Sequence, residues 1–258
     1  MSGTYLDKIV EHHRAAARED LRSLDRLVER VGDLDPCRGF RAALTGREQL
    51  GVIAEIKRRS PSKGALAPDL DARDLARAYE RGGAACLSVL TDVDHFGGSV
   101  DDLQTARAAC SLPVLRKDFT VSELDVVDTR LMGADCLLLI AAAIDKKQLV
   151  AFCQLAKEIG LDVLVEIHDE GQLDVVLAAD ATLIGVNQRD LETFEVDHER
   201  AVRMADVIPG HAIKVAESGI RHGADARALE SAGYQAVLVG EMLVTSESPA
   251  DAIAELIG

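Results

Sequence analysis

Tryptophan is absent from this 258-residue chain, and aromatic residues make up only 3% of it. The core must therefore be built from Ala, Val, Leu and Ile, which is how parallel strands covered on both faces usually read. Positive charge is the second shortage: 29 Lys and Arg face 44 Asp and Glu, a formal net charge of −15. Such a surface repels a nucleic-acid backbone, so no nucleic-acid partner is expected. It also repels a phosphorylated metabolite, so an anionic substrate has to be held by a few local cations and backbone N–H groups. Paired cysteines are missing too. The five cysteines, Cys37, Cys86, Cys110, Cys136 and Cys153, form no CxxC, and Cys86 and Cys136 sit in apolar runs as small hydrophobes. They read as structural thiols of a reducing compartment. Long hydrophobic runs are lacking as well. The longest spans 136–144, too short for a bilayer. The first twenty residues are charged throughout, with no apolar signal-peptide core. No membrane partner is expected, and the expected location is cytoplasmic.

What is present is a regular alternation. Short β-rich runs at 51–57, 86–91, 114–119, 135–140, 162–167, 182–187, 212–217 and 236–240 are separated by amphipathic stretches. Helices are expected at 72–81, 101–109, 122–132, 146–159 and 168–178. Eight such strands, each followed by a helix-length segment, predict a (β/α)₈ TIM barrel in a single domain spanning 1–258. An open doubly wound sheet is the alternative, but no GxGxxG follows the first strand. Ahead of the barrel (49–258), residues 1–48 read as an N-terminal helical extension. Leu6, Ile9, Val10, His13, Ala17, Leu21, Leu24, Leu27, Val28 and Val31 follow helical spacing and predict one helix, closed by Gly32, Asp35 and Pro36. It is expected to pack over one end of the barrel.

Strand residues alternate between the barrel interior and the surrounding helices. Residues 53, 55 and 57 share one face, as do 115, 117 and 119, and 164 and 166. Asn187 and Glu217 follow the same parity on their strands. If these faces point inward, apolar filler lies low and a polar group sits at the C-terminal end, where active sites of this fold are built. Glu55, Lys57, Lys117, Glu166, Asn187 and Glu217 then ring one mouth. Interior charges are costly unless paired, so packing alone does not account for this set. Ser218-Gly219 after the seventh strand and Gly240-Glu241 after the eighth fit a phosphate cup, with Glu241 offering its N–H and turning its carboxylate away. Ser60 in the first loop adds a hydroxyl. Lys214 has the opposite parity and is expected to point outward. His12 and His13 read as solvated, His95 as a neighbour of the site at most, and His198, His211 and His222 as loop residues. No cluster of His, Cys, Asp and Glu shows ligand spacing, so no metal is expected; no Gly-rich Lys loop suggests a nucleotide.

These blocks resemble one family. IAEIKRRSPSKG (53–64) is similar to the signature of indole-3-glycerol-phosphate synthases. LSVLTDVDHFGGS (87–99), VLRKDF (114–119), LLLI (137–140), LVEIHDE (164–170), GVNQRDL (185–191), VAESGI (215–220) and VLVGEMLV (237–244) follow in that family's order. The resemblance covers nearly the whole chain, the N-terminal extension included; Glu241 stands where some members carry Ser. It implies conversion of 1-(o-carboxyphenylamino)-1-deoxyribulose 5-phosphate to indole-3-glycerol phosphate, with loss of CO₂ and water and no cofactor. By resemblance, Lys117 is the general acid for ring closure and Glu166 the acid/base group for dehydration. Lys57 faces the substrate carboxylate and is a second proton donor, beside Glu55. Asn187 and Glu217 bind and orient. Phe96, Phe119 and Leu138 sandwich the anthranilate ring, with Arg189 assisting. Ser60, Ser218, Gly219, Gly240 and Glu241 hold the phosphate. A small phosphorylated molecule is the expected partner, with the chain a monomer or weak oligomer.

Two other readings stay open at this stage. A Schiff-base aldolase or sugar-phosphate isomerase would use the same architecture, but a Schiff-base lysine needs a depressed pKa, whereas clustered carboxylates favour the charged form. A non-catalytic barrel that only binds a phosphometabolite has no need of Glu166.

Overall fold

The computed structural model describes residues 4–190 and 193–258; Leu191, which ends the GVNQRDL block, lies outside them. Eight parallel strands close into a barrel. They are β1 (Gly51–Ile56), β2 (Cys86–Leu90), β3 (Val114–Lys117), β4 (Cys136–Ile140), β5 (Asp162–Ile167), β6 (Leu183–Asn187), β7 (Ile213–Glu217) and β8 (Ala236–Val239). β8 returns to β1 with Gly51 opposite Ala236 and Ile53 opposite Leu238, which closes the ring. The strands are buried almost without interruption because helices cover the outside while side chains fill the inside. Lys57 and Phe119 fall just beyond the ends of β1 and β3, where the expected runs were slightly too long.

Several of the turns into helices have a local cause. Asp71 accepts from the N–H groups of Arg73 and Asp74. Ser99 accepts from Asp102 N, and Ser122 and Asp145 form capping boxes with Asp125 and Gln148. The helix expected at 168–178 starts late, as a 3₁₀ turn at Glu170–Gln172 followed by a helix at Leu173–Ala178. Asp169 caps the turn through Gln172 N, which leaves His168 outside it.

The N-terminal extension is not the single helix its spacing predicted. It comprises α1 (Tyr5–Glu19), α2 (Leu24–Val31) and the short α3 (Phe40–Leu44). The break falls at 20–23. Leu21, counted in the apolar stripe, is 93% exposed. Asp20 accepts from the backbone N–H and guanidinium of Arg22, while the same guanidinium reaches Asp128 at 2.9 and 2.7 Å. This polar knot turns the chain so that α2 packs along the helix Glu123–Leu131.

The extension therefore touches both ends of the barrel. α1 lies over the C-terminal mouth, with Tyr5, Leu6 and Ile9 facing the cavity there. At the other end, Phe40 and Leu44 are fully buried. Two strand-start carboxylates pin that end. Asp135 accepts from Arg38 N and Val114 N at 2.9 Å and from Arg107 at 3.0 Å. Asp162 accepts from Arg41 N at 2.8 Å. All five cysteines are free. Burial pushes the thiols of Cys37, Cys86, Cys110 and Cys136 up, and that of Cys153 up to about 11, so none is poised to react near neutrality.

Candidate active site

A cavity of about 640 Å³ opens at the C-terminal ends of the strands, the size of a small-molecule site. All the candidate site residues read from the sequence line it. The two-residue period of a strand turns alternate side chains inward, and a closed barrel makes those inward ends converge.

At the centre, Lys117 Nζ lies 3.0 Å from Glu166 Oε2 and 3.7 Å from Glu217 Oε2. Asn187 Nδ2 donates to Glu166 Oε1 at 3.1 Å. Lys57 is paired with Glu55. Room for these carboxylates comes from glycine: a Cβ on Gly185 would overlap the Glu217 carboxylate, and one on Gly240 would overlap that of Glu55.

The charges sort themselves by burial and neighbours. Burial alone would lower the pKa of Lys117, but Glu166, Glu217 and Glu55 outweigh it and hold the ammonium well above the usual lysine range. Burial raises Glu166, yet Lys117, His168 and Asn187 together bring it below the ordinary carboxylate value. Glu217 goes the other way: burial and the charge on Glu166 push its pKa up. Two neighbouring carboxylates are thus driven apart, one to the carboxylate and one toward the acid.

Around this centre, Phe96 and Phe119 stand 6.4 Å apart between ring centroids and tilted by 35°, with Leu138 on β4 beneath the same cavity. Arg189 is held by its own N–H on Asn187 Oδ1 and by Nη1 on Phe194 O. Across the mouth, Ser218 and Gly219 have φ of 66° and 76°. Glycine accepts this freely and serine does not, so strain is stored beside the cup. Gly240 caps the short helix Glu241–Val244, and the Glu241 carboxylate turns to Lys63 at 3.6 Å. Lys214 points outward as its parity required, donating to Ala205 O.

Several lining residues had no signal in the sequence. Tyr5, Leu6 and Ile9 arrive from α1. Arg221 adds a cation near the cup. His198, set aside as a loop residue, lines the cavity, its ring beside the position a Cβ on Gly219 would take. Outside the lining, His168 is mostly buried two residues past Glu166, its Nε2 3.4 Å from Glu166 Oε1, and neither ring nitrogen has a hydrogen-bond partner. His13, expected in solvent, is mostly buried, bonded to Asp92 at 3.0 Å and stacked on Phe119. Folding also brings one ligand atom each of His13, Asp92 and His95 within 4.8 Å of one another, although His13 is distant from the other two along the chain.

The fold defines a class, the (β/α)₈ barrels, whose active sites are built at the C-terminal ends of the strands, where this mouth lies. The family described as indole-3-glycerol phosphate synthase matches residues 6–256. The chain belongs to that family. It is 50% identical to the indole-3-glycerol phosphate synthase of Mycolicibacterium smegmatis, over 99% of this chain and 94% of the relative. Indole-3-glycerol phosphate synthase 2 of Streptomyces coelicolor is 47% identical over the full length of both. The solved structure of 3-hexulose-6-phosphate synthase from Salmonella typhimurium superposes with a TM-score of 0.64 at 15% identity, covering 80% of this chain and 96% of that one. That likeness is one of fold. Among the described residues no helix is long and apolar enough to cross a membrane.

Proposed function

We propose that this mouth closes the indole ring: it converts 1-(o-carboxyphenylamino)-1-deoxyribulose 5-phosphate to indole-3-glycerol phosphate, CO₂ and water. The chain is a carboxy-lyase of tryptophan biosynthesis, and the reaction needs no cofactor. The observation that carries the reading is the triad of Lys117, Glu166 and Glu217, a fully charged ammonium between a carboxylate and a neighbouring acid.

The ring carbon bearing the carboxylate attacks the ketone, and Lys117 gives its proton to the oxygen on which negative charge develops. The carboxylate then leaves as CO₂, which restores the aromatic ring. Dehydration follows. Lys57 protonates the departing hydroxyl, and Glu166 takes the proton lost as the new double bond forms. Asn187 and Glu217 hold Glu166 and Lys117 in place. Phe96, Phe119 and Leu138 grip the anthranilate ring, and Arg189 assists. The phosphate sits between Ser60, Ser218-Gly219 and Gly240-Glu241, where backbone N–H groups supply the attraction that a net charge of −15 does not. The enzyme works in the cytoplasm as a monomer or weak oligomer.

Borohydride added during turnover tests this against a Schiff-base aldolase. The synthase reading predicts CO₂ release and no covalent adduct. A reduced adduct on Lys57 or Lys117 would favour the aldolase.

A further inference from the structure

Three of the seven histidines, His12, His13 and His95, gather beside the mouth with Asp92, Asp94 and Asp118. None of them has a part in the ring-closing chemistry. His13 comes from α1; Asp92 and His95 come from the loop after β2, almost eighty residues away. His13 Nε2 is 3.0 Å from Asp92 Oδ2, and His95 Nδ1 is 2.9 Å from the same oxygen. The three ligand atoms all lie within 4.8 Å of one another.

We propose that His13, Asp92 and His95 form a binding site for one transition-metal ion, Zn²⁺ or a similar imidazole-preferring cation, that fastens α1 to the loop after β2. Tetrahedral Zn²⁺ with bonds of about 2.0–2.1 Å sets neighbouring ligand atoms ~3.3 Å apart. Both His–Asp edges are already close to that, and the two ring nitrogens lie within 4.8 Å of each other. An ion takes the place of the protons that now link the two rings to one carboxylate oxygen. Asp118 Oδ1, 3.9 Å from His13 Nε2, or a water completes the set.

The surroundings resemble the supporting shell of a metal site. Asp92 Oδ1 is fixed by His95 N at 2.6 Å, which aims Oδ2 at the rings. Asp118 is fixed by Phe119 N and Arg116, both at 2.9 Å. The His13 ring lies on Phe119. Three carboxylates beside three imidazoles favour a cation, even with Arg116 and Arg59 nearby; Arg59 is engaged with the carbonyls of Val93 and Asp94. Nitrogen ligands select Zn²⁺, Co²⁺ or Ni²⁺ over Mg²⁺ or Ca²⁺.

The test uses the full chain, stripped with chelator and dialysed. Zn²⁺ is titrated by calorimetry, Co²⁺ by visible absorption, and melting is followed with and without Zn²⁺. His13→Gln and His95→Gln are run beside the wild type, since a glutamine amide can still donate to Asp92 but ligates metal poorly. The proposal predicts one ion per chain, tetrahedral Co²⁺ bands and a higher melting temperature with Zn²⁺. It predicts at least ~10-fold weaker binding in each variant, with metal-free melting little changed. No uptake at micromolar Zn²⁺, or equal uptake by wild type and both variants, would overturn it; the cluster is then a hydrogen-bonded clamp only.

Discussion

Lys117 stands at the end of β3 with Glu166 at 3.0 Å and Glu217 at 3.7 Å, and this placement decides what it can do. A general acid contributes roughly 10²–10⁴-fold, and stabilising the oxyanion adds to it. Lys117→Ala should therefore lower kcat by at least ~10³-fold, while affinity for the product changes far less. Lys117→Arg should not rescue the rate, because a guanidinium is a poor proton donor near neutrality. A folded Lys117→Ala enzyme with near-normal kcat would move the acid role to Lys57. Glu217 makes a second prediction. Its pKa is raised in the fold, so between the unfolded value near 4.5 and the raised value the native state holds a proton that the unfolded chain has lost. Stability from this group is thus complete at acid pH and falls as pH rises through the raised value. Melting curves from pH 5 to 9 should fall less steeply for Glu217→Gln than for the wild type, and equal slopes would contradict the assignment. The inward set of Glu55, Lys57, Lys117, Glu166, Asn187 and Glu217 was legible in the sequence because a strand's period of two is local. The contact of His168 with Glu166 is local as well, but the expected helix concealed it. The burial of His13 was not legible at all, since its partner Asp92 is distant along the chain and only folding joins them.

At the scale of elements, the βα loops and the N-terminal extension carry the consequences. Gly219 has a φ of 76°, and a side chain there would press on Val196 and the ring of His198. Gly219→Val should shift the loop and weaken binding of the phosphorylated substrate by about 1–3 kcal/mol, the scale of charge-assisted hydrogen bonds. Calorimetry with the product is the check, and unchanged affinity in a folded variant would place the phosphate elsewhere. The extension buries Ile9, Val10 and Leu27. Burying such side chains is worth about 1.5–3 kcal/mol each, and about 2–4 °C of melting temperature accompanies each kcal/mol in a chain of this size. Deleting residues 1–30 should lower the melting temperature by at least ~10 °C on those terms, and should cost activity because α1 roofs the cavity. A truncated chain as stable and active as the whole would show the extension to be dispensable. The strands were legible to within a residue or two, because buried aliphatic runs announce themselves. The break between α1 and α2 was not: helical spacing continues through Leu21, and only the link from Arg22 to Asp128 reveals the turn.

At the scale of the molecule, eight β/α alternations dictate a closed barrel, and the barrel decides where chemistry can occur. Charges spread over β1, β3, β5 and β7 meet only because closure brings the C-terminal ends of those strands together. That meeting is costly in a core, since Glu166 and Glu217 are both nearly fully buried, and the fold tolerates it through Lys117, Asn187 and two well-placed glycines. On the proposed reading, the overall negative charge leaves the phosphate to the loops after β1, β7 and β8, with Lys63 and Arg221 as cations lining the same mouth. The central claim is that this mouth builds an indole. The most direct test is to incubate the purified chain with 1-(o-carboxyphenylamino)-1-deoxyribulose 5-phosphate, without added cofactor, and follow indole fluorescence. The account predicts a steady rise that matches substrate consumed and CO₂ released; a folded chain that consumes no substrate and gives no indole fluorescence would contradict it.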